Sequence, residues 1–101
     1  MSRDKNLELA AKAAGYEFKW VNDDAFIIDV RGLWTKWTPQ EDTDQSMALA
    51  GRLNLTLRFE DRCVNAQRNR YGWQQPSDGD AVAAMRIAIL QTAAEIGEGM
   101  G

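Results

Sequence analysis

The sequence predicts an α+β fold of order αβββαββα, with three helices packed on an antiparallel or mixed sheet of four to five strands. Three observations carry that expectation. Apolar residues recur at helical spacing near both ends and again mid-chain; alternating stretches with a period of two lie between them; and cap or turn residues separate the runs. With 101 residues and 45% hydrophobic side chains, the chain supports one domain, residues 1–101, around one shared core.

Between Asp4 and Ala14, the residues Leu7, Ala10, Ala11 and Ala14 fall on one helical face, and Gly15 supplies a left-handed stop. Tyr16, Phe18 and Trp20 then alternate with Glu17 and Lys19, which places three aromatics on one face of a strand. Asn22-Asp23-Asp24 makes a polar turn into Ala25 to Val30, with Phe26, Ile28 and Val30 on one face and Ile27 on the other. Arg31-Gly32 offers a second turn, after which Leu33 to Trp37 extends a meander. Trp20 and Trp37 are expected in the core, Trp34 and Trp73 at the surface.

Two overlapping helix starts follow, Thr38-Pro39-Gln40-Glu41 and Asp42-Thr43-Asp44-Gln45, each with a capping oxygen and an acid or amide three residues on. Met47, Ala50 and Leu53 line one face of that helix, with Leu49 beside them. Leu55, Leu57 and Phe59 alternate with polar residues as a strand, Asp61-Arg62 turns the chain, and Cys63 to Gln67 returns. Arg68 to Pro76 reads as loop or a short strand. Ser77 or Asp78 caps the last helix, whose stripe of Val82, Met85, Ile89, Thr92 or Ala93, and Ile96 runs up to Gly97. Its flank at Ile87, Ala88 and Leu90 is also apolar, as suits a helix buried on several sides or one that meets a partner. Residues 1–3 and 98–101 are expected to fray.

The chain has no histidine and one cysteine, so it lacks the imidazole of Ser-His-Asp and Cys-His machinery and a disulfide frame of its own. Cys63, in a strand without an activating neighbour, reads as a buried or half-buried inert thiol. The acids Glu41, Asp42 and Asp44, and the pair in Asp78-Gly79-Asp80, suit helix starts and turns, because the central glycine and distal glutamate of a calcium loop are missing. Neither phosphate-cradling glycine pattern occurs. The expectation is a protein that is not an enzyme and holds no metal and no cofactor. No apolar run reaches the roughly 20 residues of a membrane span. Met1-Ser2-Arg3-Asp4-Lys5 lacks a secretory stretch, so a cytoplasmic location is expected.

The sharpest charged feature runs from Arg52 to Trp73, where five arginines face only Glu60 and Asp61. Arginine, tyrosine and tryptophan are the usual anchors of protein interfaces, which makes Arg58, Arg62, Arg68, Arg70, Tyr71 and Trp73 the candidate interaction surface for a protein partner. The same composition suits single-stranded nucleic acid through segment 52–73, with phosphate contacts from arginine and base stacking on the rings. A net charge of −3 opposes that alternative, and a plain solvated strand face accounts for the same residues. A third possibility is homo-oligomeric assembly through Ile87 and Leu90.

Three further stretches carry a resemblance: Trp37-Thr38-Pro39 before an acid-rich helix start, Leu49-Ala50-Gly51-Arg52-Leu53-Asn54-Leu55 running from helix into strand, and the terminal helix from Ala83-Ala84 to Ile96-Gly97. Together with Leu7 to Gly15 they resemble small uncharacterised bacteriophage and prophage proteins of the phage "ABA sandwich" domain type. That resemblance implies helices on an antiparallel sheet, an accessory role in the cytoplasm of a bacterial host cell and a host or phage protein as the partner, and it supplies no catalytic residues. Asp61 to Pro76 departs from the pattern, in the region where arginines and aromatics gather.

Overall fold

Asp4 opens helix α1 (Lys5–Ala14) by accepting the Asn6 amide on its carboxylate at 2.9 Å, and Gly15, at φ 75°, closes it. The structure, a computed structural model, describes residues 4–29 and 31–100. Strands β1 (Phe18–Val21), β2 (Asp24–Ile28) and β3 (Trp34–Lys36) form an antiparallel meander. Its register sets Phe18 opposite Ile27, Trp20 opposite Ala25 and Ile27 opposite Thr35. Ala25 and Ile27 are therefore the buried side of β2, while Phe26 and Ile28 lie on the other face and are only half-buried. The two faces are those the alternation predicts, and burial falls to the Ile27 face; Val30 lies outside the described residues. Trp37 decides it. Its amide donates to the Ala25 carbonyl at 2.8 Å, its side chain is 1% exposed, and its ring packs edge-on against Tyr16 and Phe18 at 5.8 and 6.4 Å.

Asp29 ties the β2–β3 turn. Its carboxylate accepts from the amides of Arg31 and Leu33, the Thr35 hydroxyl and the Arg31 guanidinium. Those donors, Arg31 first, hold the carboxyl well below the ordinary range.

Helix α2 (Thr43–Leu53) takes the second of the two start signals, with Asp42 accepting the Gln45 amide; Thr38 to Asp42 instead forms a turn. That start buries Ser46, Leu49, Ala50 and Leu53, a helical stripe that leaves Met47 exposed. Gln45 has a second use. Its side-chain Nε2 donates to the Lys36 carbonyl at 2.9 Å and its Oε1 accepts from the Thr38 amide at 2.7 Å, so one carboxamide pairs the outer edge of β3 as a neighbouring strand would. Gln45→Ala is expected to cost about 1–2 kcal/mol in urea unfolding by leaving both groups unmade. Gln45→Glu, which keeps only the acceptor, should fall between.

A second antiparallel meander, β4 (Thr56–Phe59), β5 (Cys63–Arg68) and β6 (Tyr71–Pro76), precedes α3 (Ala81–Gly99). The expected helix and strand order is thus present, with Tyr71–Pro76 paired along its whole length to β5. The strands do not form one sheet of four to five; they form two sheets of three. Their edges explain the separation: Gln45 occupies that of β3, the Gly72 amide on β6 donates to Glu95 of α3, and Pro76 has no amide to offer.

Helix α3 is capped by Asp80, whose side chain accepts the Ala83 amide, because Ser77 to Asp80 forms a turn with Asp78 and Gly79 both at positive φ. It packs against α1, α2, β5 and β6. Leu90 is consequently buried by the chain's own elements, whereas Val82 at its start is exposed. The helix does not stop at Gly97 but continues to Gly99, since Gly97 lies against the Leu9 backbone and Gly99 against the Tyr71 hydroxyl. The buried core joins α1, β2, α2, β5 and α3, and no helix among the described residues is long and apolar enough to cross a membrane.

Candidate functional site

Among the described residues, only one side of the second sheet is covered. Helix α3 lies against β5 and β6, where Val64 and Ala66 are buried and the Ala66 carbonyl accepts the buried Thr92 hydroxyl at 3.1 Å. The opposite side carries polar side chains in registered rows. Arg58, Asn65 and Gln74 lie side by side across β4, β5 and β6; Thr56, Gln67 and Gly72 form the next row; Cys63 and Pro76 form the third. The first two rows line an open groove of about 420 Å³, which Glu60 and Trp73 also border.

One network fixes an end of this groove. The Arg58 Nε donates to Glu60 Oε2 at 3.2 Å, the Cys63 thiol to Glu60 Oε1 at 3.4 Å, and Gln74 Nε2 to the Cys63 sulfur at 3.2 Å. The thiol and then the guanidinium hold the Glu60 carboxyl below its usual value. Cys63 thus spends its proton on Glu60 and sits with little exposure, a positioning arrangement rather than an activated nucleophile.

The six expected interaction residues do not share one patch. Arg58 projects from the open face with a side chain 71% exposed. Arg62 lies in the β4–β5 turn at one end of the sheet, and Arg70 in the β5–β6 turn at the other, with its guanidinium 5.4 Å from the Tyr71 ring centre. Strand alternation turns Arg68, Tyr71 and Trp73 toward the helix side. Arg68 pairs with Tyr71, Tyr71 is half-buried against Gly99, and Trp73, paired with Ala66, is 39% exposed with its indole N–H on Gln75. Trp73 nevertheless borders the groove beside Arg58, whereas Tyr71 does not.

Arg52 also leaves the cluster, because its guanidinium donates to the Ala14 carbonyl at the end of α1 and lies 5.0 Å from the Tyr16 ring centre. The residues that sequence reasoning missed are Thr56, Asn65, Gln67 and Gln74. Their signal was a polar residue at every second position through 56–58 and 65–67, and at 74. What survives of the charge feature is a segregation: residues 55–76 hold four arginines against two acids, while the rest holds eight basic side chains against thirteen acidic ones. The chain matches no family model, no curated protein and no solved structure.

Proposed function

We propose that this chain is a non-enzymatic accessory binding module that docks an acidic macromolecular surface on the open side of the β4–β5–β6 sheet. The carrying observation is the uncovered polar face in the one region with a positive balance, in a chain that is otherwise acidic. The absence of histidine and the commitment of Cys63 to Glu60 support a binding role over a catalytic one. A phage or prophage setting rests on the sequence resemblance and accords with a small accessory protein.

The test is capture by the tagged full chain from bacterial lysate, comparing wild type with Arg58→Ala/Arg62→Ala/Arg70→Ala. The three arginines are exposed, so each change should move stability by no more than about 0.5 kcal/mol. A co-purifying macromolecule that the triple variant loses, at an unchanged melting temperature, is expected. Equal capture by both chains would sink the proposal.

A further inference from the structure

We infer that two copies of this chain associate through the outer edge of β4, joining their two sheets of three strands into one antiparallel sheet of six; the inference does not depend on what the open face binds. The other sheet edges are closed. Gln45 fills that of β3, and Glu95 and Pro76 close that of β6. Strand β1 carries Lys19 and is tied to α1 by the Trp20 indole, which donates to Glu8 at 3.1 Å. The edge of β4 has no such cover among the described residues. The Glu60 amide donates to the Cys63 carbonyl at 2.9 Å, which makes these two a hydrogen-bonded pair. Antiparallel pairs alternate, so Thr56 and Arg58 bond to β5, while the amides and carbonyls of Leu57 and Phe59 point away from it. Helix α3 packs over β5 and β6 and leaves the approach to this edge clear. The strand carries none of the lysine, proline or bulge that blunt an edge, and Phe59 stands on it 55% exposed.

The occupant is a second copy because the strand complements itself. In a two-fold pair of β4 strands the outward residues face one another, which allows pairing centred on Leu57, Arg58 or Phe59. Centring on Leu57 needs the Leu55 amide, which already donates to the Ala50 carbonyl at 3.0 Å. Centring on Arg58 sets two guanidinium groups directly opposite each other. Centring on Phe59 sets each Arg58 across from the second copy's Glu60, in the pair type where side chains approach most closely, and brings the two Phe59 rings together on the other face. Each Glu60 then lies between its own Arg58, at 3.2 Å, and that of the second copy, so the charges alternate in sign along the seam. The two-fold axis runs normal to the sheet, and both open faces look to the same side. The apolar flank of α3 is not this interface, since Leu90 is buried within the chain.

The experiment is sedimentation equilibrium of the full chain. Pairing over residues 57–61 lies at the small end of interface sizes, so a dissociation constant of about 100 μM is expected, and from about 10 μM to about 1 mM the mass should climb from one chain toward two. Arg58→Glu sets like charges across both seam pairs and should weaken association by about tenfold or more. Arg58→Glu/Glu60→Arg restores the alternation and should recover it. Phe59→Pro removes an amide that the single chain leaves unpaired, and should stay monomeric throughout with the circular dichroism spectrum of the wild type. A wild type still monomeric at the top of the range, a Phe59→Pro chain that dimerises like wild type, or a folded double variant that stays monomeric would each overturn the inference.

Discussion

Replacing Trp37 with alanine is expected to remove about 3–5 kcal/mol of stability. A domain of this size has roughly 5–15 kcal/mol in all, so the variant should be partly unfolded at growth temperature. The side chain is 1% exposed and packs edge-on against Tyr16 and Phe18, so truncation forfeits its transfer from water and leaves a cavity walled by two other rings. Those rings come from the connection after α1 and from β1, and they cannot both collapse inward without breaking the register of Phe18 on Ile27. Trp37→Phe keeps one ring and should lose less than half as much. Trp34→Ala, at a position 43% exposed, should cost about 1 kcal/mol or less. Urea unfolding followed by circular dichroism decides it, because three tryptophans remain to confound fluorescence. A loss below about 1 kcal/mol for Trp37→Ala would remove that residue from the core.

The same tryptophan shows where sequence reasoning reached and where it stopped. Alternation in β2 announced two faces, but the richer pair, Phe26 and Ile28, lies outward, and the smaller Ala25 with Ile27 faces the core. Composition cannot supply that choice, since it depends on Trp37, which lies across the sheet from Ala25. Helix α1 was legible throughout because its apolar stripe and Gly15 are local signals. Tyr71–Pro76 was legible only as loop or a short strand, because glycine, glutamine and proline have low strand propensity and the segment is ordered by pairing with β5. Without that strand the alternation could not be carried across the sheet. The candidate surface was consequently assembled from arginines and rings that neighbour one another in sequence but lie on opposite sides of the sheet. The amides that line the groove went unnoticed.

Gly97→Ala should cost about 3 kcal/mol, even though alanine is the better helix former by about 1 kcal/mol. The added Cβ would collide with the Leu9 carbonyl oxygen, a backbone atom that no rotamer change can move aside. Helices α1 and α3 meet there through Ala10, Ala11, Ala93 and Ala94, all buried, so the interface is made of side chains too small to yield. The helices must separate, and every contact along them loosens. At roughly 4–8 °C per kcal/mol for a domain near 100 residues, the melting temperature should fall by about 12–24 °C. Gly99→Ala is the matched control, because its Cβ meets the Tyr71 hydroxyl at the far end of a side chain that can swing away, and its loss should be markedly smaller. A Gly97→Ala chain as stable as wild type would mean that the helices do not approach as closely as Leu9 requires. The displacement also reaches the open face: α3 supports β5 through Thr92 and holds the Gly72 amide through Glu95. The variant should therefore also loosen the open face, although no residue of that face has changed.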